Sequence, residues 1–530
     1  MTASASRGSE PTPHPTPPAH RDVQVRELQR PDDRGRTLPQ LITYVDRLAG
    51  DLAGLRRLLA GPLALAFDGV HVLPFYYPFD GEDAGFDPRD HTIVDARLGQ
   101  WADVKSLADR WVVMADVIVN HMSSESAQFR DVVARGDESP WAPMFLTMSS
   151  VFPTGAQESD LTQIYRPRPG LPFTAMDLGG RRRLVWTTFT AKQVDLDINS
   201  PLTWAYLTSI IDRLIHAGVS TLRLDAVGYV GKAAGTDCFL TAESTELVRR
   251  ISDYAHRSGA SILLEVHGHY LQQIEIARTV DFVYDFALPP LVLHALTQRD
   301  FGPLIHWLSI RPPNTVTVLD THDGIGIVDV GTNQLRPGVP GLLTDSQIAR
   351  LVDTIHENSG GSSRLATGAA ASNLDRYQIN CTFYDALGED DDKYLLARLI
   401  QLFVPGTPQI YYVGLLAGRN DVALLNRTGV GRDVNRHYYA PDELIAEMGR
   451  NIVRKQLHAI RFRAHHAAYF GDFSYESVGR QIVLQWTAAD EIARLSIDAE
   501  SLRYDISFTV GGDLMTVEDV LDLPVGALDA

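Results

Sequence analysis

Eight short apolar runs constrain the fold of this 530-residue chain more than any other feature. Between the runs, apolar residues recur at helical spacing, as they do over 243–257. Strands that alternate with helices predict an α/β protein built on a parallel (β/α)₈ TIM barrel. The runs are LITY (41–44), GVHVLPFY (69–76), VVMADVIVNH (112–121), STLRLDAV (220–227), SILLEVH (261–267), DFVYDF (281–286), TVTVLDTHD (315–323) and QIYYVG (409–414).

Two connections in this pattern are too long for simple crossovers. We expect a catalytic barrel over 39–468, with inserted subdomains at 119–199 after strand three and at 325–388 after strand seven. Both leave the carboxyl end of a strand, the face where barrel active sites are built. Residues 469–530 contain short strand-like runs without helices, which predicts a C-terminal all-β domain. The proline-rich and charged residues 1–38 predict a flexible N-terminal tail.

Bulk composition excludes several classes of function. A formal net charge of −18 disfavours nucleic acid and anionic membranes as partners. The two cysteines, Cys238 and Cys381, exclude a disulfide framework and fit a reducing compartment. No apolar run approaches 18 residues, and the tail has no signal-peptide pattern. We therefore expect a cytoplasmic protein that spans no membrane.

The fourth run, TLRLDAVGYV (221–230), carries charges where a core strand should be apolar. Because side chains alternate along a strand, Arg223 and Asp225 share one face, and the leucines between them share the other. The leucines should face the helical layer, so the charged pair should face the barrel interior. Glu265 and His267 share a face of the fifth strand by the same parity.

Two further runs end in polar residues at the same pole of the barrel. The third ends in Asn120 and His121, and the seventh ends in His322 and Asp323. Any one charged pair could be a satisfied ion pair of the core. Several carboxylates and histidines at one mouth are costly to bury together, however, and this is typical of a catalytic site.

Three carboxylates at one mouth fit the retaining cleavage of a glycosidic bond, which needs a nucleophile and an acid/base about 5–5.5 Å apart. We expect Arg223 to hold Asp225 ionised as the nucleophile. Glu265 has no arginine in its own strand and suits the general acid. Asp323 would bind sugar hydroxyls in the transition state. A metal site is the alternative, but no strand has His-x-His spacing.

These residues also carry a family resemblance. DVIVNH, LRLDAVGY, EVH and LDTHD resemble the four signature segments of the α-amylase superfamily. PFDGEDAGFDP, VNHMSSES, IYRPRPGLPFT and GTPQIYYVGLLAG resemble, more narrowly, its sucrose phosphorylase subfamily. The resemblance implies conversion of sucrose and phosphate to α-glucose 1-phosphate and fructose, with retention, through a covalent glucosyl-enzyme. It also implies that no metal and no other cofactor is needed.

The resemblance assigns the same three catalytic roles to Asp225, Glu265 and Asp323, and it adds two binding groups. The implied glucose subsite consists of Asp83, Phe86, His121, Arg223, His322 and Arg432. The implied acceptor side, where fructose and phosphate alternate, consists of Tyr165, Arg168, Tyr229, His267, Asp375, Tyr377 and Gln378. Arg168, between two prolines, offers a planar fork for phosphate oxygens.

Two departures from the subfamily pattern leave the acceptor open. Arg376 adds a positive charge beside the acceptor residues, and GHY (268–270) follows EVH where a bulkier pair is usual. Either neutral variation or an anionic acceptor would explain them. Related phosphorylases act on sucrose 6′-phosphate, glucosylglycerate or glucosylglycerol. The sequence is also compatible with a hydrolase or transglucosylase that uses the same carboxylates, and with an inactive binding barrel. The resemblance implies a monomer or a homodimer acting on small molecules.

Overall fold

The computed structural model describes residues 38–166, 170–333, 336, 338–368 and 378–525. Eight strands form a closed barrel, and each predicted apolar run overlaps one of them. They are β1 (Gln40–Thr43), β2 (Gly69–Val72), β3 (Val112–Ile118), β4 (Thr221–Asp225), β5 (Ser261–Leu264), β6 (Phe282–Asp285), β7 (Thr315–Thr317) and β8 (Thr407–Tyr411).

All neighbouring barrel strands are parallel and follow one another around the barrel in chain order, with β8 closing onto β1. The register places Arg223 of β4 directly beside Asp116 of β3. The prediction of a (β/α)₈ barrel with two inserted segments and a C-terminal all-β domain is confirmed.

Helices pack around the barrel because their buried faces repeat at helical spacing. The helix Ala242–His256 is an example, with Leu247, Ile251 and Ala255 buried and the Thr241 hydroxyl accepting a hydrogen bond from the Ser244 amide at its start. The principal barrel helices are Leu52–Ala60, Trp101–Ala108, Pro201–His216, Ala242–His256, Tyr270–Ile276, Leu288–Gln298, Gly302–Ile310, Asp391–Phe403 and Asn451–His465. Among the described helices, none combines the length and the apolar character of a membrane-crossing segment.

The connection from β3 to β4 forms a small layer of its own above the barrel. The strand His121–Ser123 pairs antiparallel with Gln193–Asp195, and a hairpin joins Phe173–Leu178 to Arg181–Trp186. The helix Ala127–Arg135 packs against this hairpin, and the layer has a separate apolar core around Met122 and Phe129. Its first strand begins at His121, so the layer is built directly on the site.

The connection from β7 to β8 contains the helices Asp345–Asn358, Ser362–Gly368 and Phe383–Ala386. A two-stranded sheet joins Ile325–Gly326 to Gln378–Ile379, which brings Gln378 back towards the barrel mouth. Shorter helices elsewhere are Val45–Leu48, Met148–Val151, Glu158–Thr162, Tyr412–Leu415, Val422–Thr428 and Pro441–Met448. A hairpin of Tyr76–Tyr77 with Asp90–Val94 follows β2.

The C-terminal domain is one antiparallel sheet of five strands. These are β9 (Asp472–Val478), β10 (Gln481–Ala488), β11 (Glu491–Asp498), β12 (Tyr504–Val510) and β13 (Asp513–Val517). Its apolar face continues the main barrel core. The indole Nε1 of Trp486 donates a 2.6 Å hydrogen bond to the carbonyl of Phe403 across the junction.

Several barrel strands end earlier than their apolar runs suggested. Strand β5 ends at Leu264, so Glu265 and His267 follow it. Strand β3 ends at Ile118, and His121 already belongs to the next short strand. Strand β7 ends at Thr317, so Asp323 lies in the following loop. Thr317 is paired with Pro408 of β8, and proline has no amide N–H to extend a ladder.

Candidate active site

The predicted site residues converge on one cavity at the carboxyl pole of the barrel. The predicted residues that line it are Asp83, Phe86, His121, Asp225, Tyr229, Glu265, His267, His322, Asp323, Gln378 and Arg432. Phe189, Gln193 and Ala226 complete the lining. Residues from six different loops and strands therefore meet around a single space, as parity and strand order predicted.

Two of the remaining predicted residues do not line this cavity. Arg223 lies beneath the cavity floor and is 2% exposed. Tyr165 stands behind the wall, stacked on Tyr229 with ring centroids 6.3 Å apart and planes 9° apart. The predictions for Arg168, Asp375, Tyr377 and the neighbouring Arg376 fall outside the residues that the structure describes.

Arg223 is the cation on which the catalytic carboxylates converge. Its Nη1 bonds to Asp116 and lies 2.9 Å from Oδ1 of Asp225, and its Nη2 lies 3.9 Å from Oε1 of Glu265. Asp116 also meets Nε2 of His71 at 3.0 Å. Glu265 has no arginine in its own strand, as expected, but Arg223 approaches it from the neighbouring strand.

The expected effect of Arg223 on Asp225 is corrected by the structure. Burial raises the pKa of Asp225 well above its usual value, and nearby Glu265 and Asp116 act in the same direction. Arg223 lowers the pKa but does not reverse the shift. The sequence argument considered one arginine and one aspartate, whereas the structure divides one positive charge among three carboxylates.

The turn after β4 places Glu265 beside Asp225. Ala226 has a left-handed backbone, with φ 55° and ψ 24°, and its amide donates a 3.0 Å hydrogen bond to Oε2 of Glu265. This bond fixes the direction in which the carboxylate points. The two carboxylates thus belong to the ends of adjacent strands, β4 and β5.

Asp323 is held by two arginines on the opposite wall. Nη1 of Arg432 lies 2.8 Å from its Oδ1, and Nη2 of Arg436 lies 3.9 Å away. Burial favours the neutral acid, but the charges of Arg432 and Arg436 keep the pKa of Asp323 well below its usual range. The same arginines approach Asp83 at 3.4 Å and 3.3 Å. Asp323 is therefore the permanently ionised carboxylate of the site.

Two neutral histidines, His121 and His322, line the cavity. The rings of Phe86 and His322 are stacked, 4.9 Å apart with an interplanar angle of 8°. Burial lowers the pKa of His322 to about 3 and also lowers that of His121. Nε2 of His121 donates to the carbonyl oxygen of Phe86 at 2.9 Å. Both imidazoles are hydrogen-bonding groups at neutral pH, not charges.

His267, which also lines the cavity, differs from them. Its Nδ1 meets Oδ2 of Asp329 at 2.9 Å, and its ring stacks on Phe286 at 3.8 Å. Burial lowers the pKa of His267, but Asp329 and Glu265 outweigh burial, and the result is a raised pKa. Nε2 of His267 lies 3.0 Å from Nε2 of Gln378. His267 therefore differs from His121 and His322, whose pKa values are lowered.

Sequence reasoning missed several contributors, and some had a signal. Asp116 interrupts the apolar run of β3, which neighbours the charged strand β4. Its pairing with Arg223 could therefore have been predicted from the sequence. Arg436 follows Arg432 by four residues in GRDVNRHYY. Phe189 and Gln193 carried no signal, because only the folding of the long insertion brings them to the cavity.

A further missed residue is Lys232, which supplies a buried cation beside the site. Its Nζ lies 2.5 Å from Oδ1 of Asn120 and 2.6 Å from Oδ2 of Asp195, and it also donates to the carbonyl of Tyr229. Its side chain is 1% exposed. The ammonium thus joins the loop after β3, the inserted layer and the loop after β4. The Lys232 ammonium therefore contacts an oxygen of the DVIVNH segment, on Asn120, together with oxygens of Asp195 and Tyr229.

One group among the described residues has donors close enough for a metal ion. The ligand atoms of Glu265, His267 and Asp323 all lie within 4.8 Å of one another. A metal there would engage two of the four carboxylates that line the cavity. Asp225, Glu265 and Asp323 together place three carboxylates around one space, an arrangement that can perform a double displacement at an anomeric carbon without a metal.

Comparison with known families agrees with this geometry. Residues 24–270 match the alpha amylase catalytic domain. A sucrose phosphorylase from Bifidobacterium adolescentis is 54% identical over 437 residues, which are 82% of this chain and 87% of that protein. A sucrose phosphorylase from Agrobacterium vitis is 52% identical over 86% of this chain and 94% of its own length.

Other relatives have different names at lower identity. A glucosylglycerol phosphorylase from Marinobacter adhaerens is 37% identical over 89% of this chain and 96% of that protein. Among solved structures, sucrose 6F-phosphate phosphorylase from Thermoanaerobacter thermosaccharolyticum superposes with a TM-score of 0.84 at 35% identity. That match covers 91% of this chain and 98% of the other.

Proposed function

We propose that this chain, which belongs to the sucrose phosphorylase family of the α-amylase superfamily, converts sucrose and phosphate to α-D-glucose 1-phosphate and D-fructose. The observation that carries the proposal is the meeting of Asp225 and Glu265 at the ends of adjacent strands, with Arg223 contacting both. High identity to two sucrose phosphorylases supports the choice of substrate.

In the first step, Asp225 is the nucleophile and Glu265 is the acid. An oxygen of Asp225 forms a bond to the anomeric carbon as the bond from that carbon to the fructosyl oxygen breaks. Glu265 gives its proton to the departing oxygen, so fructose leaves neutral and glucose stays bound as an ester. Attack requires ionised Asp225, which the Nη1 contact from Arg223 favours.

In the second step, phosphate replaces fructose and the roles reverse. A phosphate oxygen attacks the anomeric carbon, the ester bond to Asp225 breaks, and Glu265 takes up the phosphate proton. Two inversions give net retention and hence the α-anomer. Asp323 stabilises the positive charge that develops on the sugar ring in both transition states.

The binding roles are proposed residue by residue. Asp83, His121, His322 and Arg432 accept or donate hydrogen bonds to glucose hydroxyls, Phe86 packs against the ring, and Arg223 holds the nucleophile. The raised pKa of His267 favours an imidazolium, which suits a wall that admits phosphate. Tyr165, Tyr229 and Gln378 shape this acceptor side, and the resemblance adds Arg168, Asp375 and Tyr377.

Several finer properties belong to the same proposal. The enzyme needs no metal or other cofactor, a view supported by Lys232, which already occupies the oxygen cage beside the site. It is cytoplasmic, as two buried free cysteines suit a reducing compartment. It works as a monomer or homodimer on small sugars and phosphate, without nucleic acid or membrane partners. Its tail covers 1–38, its barrel 39–468 with insertions at 119–199 and 325–388, and its β domain 469–530.

Relatives named for sucrose 6F-phosphate, glucosylglycerol and glucosylglycerate define the competing acceptors. These relatives are 30–37% identical, whereas two of those named for sucrose are 52–54% identical. Hydrolysis or transglucosylation by the same carboxylates is a further candidate reaction. It would leave the raised pKa of His267 without a role in binding an anion.

The test is release of glucose 1-phosphate from sucrose in phosphate buffer, with free glucose measured in the same reaction. We expect glucose 1-phosphate to exceed free glucose and to require phosphate. Sucrose 6′-phosphate, glucosylglycerol and glucosylglycerate are compared with sucrose at equal concentration. A higher kcat/KM for one of them than for sucrose would identify that compound as the preferred substrate. Free glucose that is indifferent to phosphate would make the protein a hydrolase.

A further inference from the structure

A second and larger cavity lies beside the catalytic one. Its volume is about 1090 Å³, which is at the upper end of small-molecule sites. Its lining comes from the loops after β1 and β2, the inserted layer and the segment after β8. The reaction proposed above gives it no role.

The wall between the two cavities is a strained segment after β2. Asp83 and Ala84 are both left-handed, with φ of 53° and 52°, a conformation that residues other than glycine rarely adopt in succession. Asp83 lines both cavities, and Arg436, which contacts Asp83, lines the larger one. A ligand in the larger cavity would therefore lie against the same carboxylate that faces the catalytic space.

The charges that line this cavity argue against an anionic ligand. Each of its five basic side chains already has a carboxylate within 4.0 Å. The pairs are Arg47 with Asp433, Arg89 with Glu125, Arg97 with Asp80, Lys192 with Glu82, and Arg436 with Asp83. No lining cation among the described residues is left over for a phosphate or a carboxylate.

Hydrogen-bonding groups, in contrast, remain unused at its walls. Asp87 is 4% exposed and Tyr44 is 2% exposed, and both line the cavity. Oδ1 of Asp87 and the hydroxyl of Tyr44 have no hydrogen-bond partner among the described residues. Asp46 also lines the cavity, and it forms no ion pair with any residue that the structure describes. Groups of this kind match the hydroxyls of a polyol.

The acidic groups are also poorly suited to a cation. Burial raises the pKa of Asp87 to about 8, and burial likewise raises the pKa of Asp46. A carboxyl group that keeps its proton near neutral pH can both donate and accept hydrogen bonds. It attracts a metal ion only weakly, because metal ligands must be deprotonated.

Two exposed aromatic rings also line this cavity. Tyr77 and Tyr438 line the cavity and are each 43% exposed. The Arg47 guanidinium lies 4.5 Å from the centroid of the Tyr438 ring and holds that ring in place. Exposed tyrosines present an apolar face together with a polar hydroxyl, and such rings suit the mixed surface of a sugar.

We propose that this cavity is a second saccharide-binding site, in which a neutral oligosaccharide packs on Tyr77 and Tyr438 and hydrogen-bonds to Asp46 and Asp87. The site is separate from the glucose subsite and shares only the wall formed by Asp83 with it. It goes beyond the proposed reaction, because neither the nucleophile nor the acid/base takes part.

The experiment is calorimetric titration of Asp225→Asn protein, which cannot turn over substrate, with sucrose and separately with maltotriose. The same titrations are repeated on this protein with Tyr77→Ala and Tyr438→Ala added. We expect the added changes to abolish one binding event for at least one of the two sugars. Phe470→Ala, an equally exposed aromatic at 45% that lies outside the cavity, is the matched control and should abolish none.

The number of binding events distinguishes failure of this proposal from failure of the proposed catalytic function. If sucrose binds both sites, two events become one in the Tyr77→Ala, Tyr438→Ala protein. If the catalytic proposal is wrong and only the second site binds sugar, one event becomes none. Isotherms that are unchanged by the tyrosine substitutions for both sugars, including isotherms with no binding at all, overturn the proposal.

Discussion

At the scale of single residues, the site is governed by how one guanidinium is shared. Arg223 contacts Asp116, Asp225 and Glu265, and its side chain is 2% exposed. A buried cation with three carboxylates cannot fully compensate them all. The nucleophile is therefore strained electrostatically in the free enzyme, which is a common cost of a functional site.

The first prediction concerns the stability of Asp225→Asn. The folded-state pKa of Asp225 is raised, so its contribution to stability is present at low pH and is lost as pH rises through that pKa. Asparagine has no such loss. We expect the variant to be more stable than the parent by about 1–3 kcal/mol at neutral pH, with a smaller gain in acid. Urea unfolding at about pH 5 and about pH 8 measures this.

The same variant should lose activity by a factor on the order of 10⁴ or more, because no other group forms the ester. Asp253→Asn is the control, since its side chain is 54% exposed and should change neither activity nor stability by a large amount. An Asp225→Asn protein that turns over sucrose at the parental rate would contradict the assignment of the nucleophile.

The second prediction separates Glu265 from a merely structural carboxylate. Glu265→Gln removes the proton donor, so cleavage of sucrose should fall by about 10²–10⁴-fold. α-Glucosyl fluoride has a leaving group that needs little protonation, and its first step should fall much less. Initial rates of fluoride and fructose release measure the two effects. Equal losses for both donors would show that Glu265 is not the acid.

Residue-level prediction from sequence succeeded where strand parity applied. Arg223 and Asp225 lie within β4, where side chains alternate, whereas Glu265 and His267 follow Leu264, the last residue of β5. The pKa of Asp225 was predicted wrongly, because Asp116 is on another strand and burial is not visible in one strand's sequence. Phe189 depended on the path of the insertion, which short-range patterns do not determine.

At the scale of elements, Lys232 ties the inserted layer to the barrel. Its ammonium contacts Asn120 and Asp195, and Asp195 pairs in register with His121 of the site. A buried cation that satisfies oxygens from three segments fixes their relative positions. The position of His121 therefore depends on a residue that does not line the catalytic cavity.

The third prediction is that Lys232→Met destabilises the fold and impairs the site together. Removing one partner leaves Asp195 as an uncompensated buried charge, so the free energy of unfolding should fall by about 3–5 kcal/mol. Adding Asp195→Asn should restore part of it. Urea unfolding and KM for sucrose are measured in the same preparations.

The matched control is Lys192→Met, because Lys192 also pairs with a carboxylate but is 54% exposed. We expect its effect to be at most about 1 kcal/mol. A Lys232→Met protein with parental stability and KM would show that the buried contacts do not hold the layer in place.

Element positions were largely predictable from the sequence, whereas element ends were not. Each apolar run overlapped a barrel strand, because strands buried on both faces are near-continuously apolar. The seventh run continued six residues beyond the last paired residue, Thr317, since apolar residues also line the inner loop. Hydrophobicity indicates burial and cannot by itself indicate where pairing stops.

At the scale of the whole molecule, the barrel and the C-terminal sheet share one apolar core. Trp486 and Leu484 of β10 belong to the same buried cluster as the barrel helices. Arg463 lies over the rings of Tyr469 and Trp486 at 4.3 Å and 5.6 Å. A shared core makes independent unfolding of the sheet unfavourable.

The fourth prediction is that calorimetry shows one unfolding transition for the barrel and the β domain. Trp486→Ala should lower stability by about 3–5 kcal/mol and shift that single transition. Val478→Ala is the control, because Val478 is on the same sheet but is 73% exposed. Two separated transitions in the parent protein would mean that the sheet folds on its own.

The measurement that tests the central claim most directly is identification of the covalent intermediate. Glu265→Gln protein is mixed with α-glucosyl fluoride, quenched in acid, digested and analysed by mass spectrometry. We predict one glucosyl group, as an ester, on the peptide that contains Asp225, and its release as α-glucose 1-phosphate when phosphate is added before the quench. A glucosyl group on another residue, or turnover of the fluoride with no ester, would contradict the account.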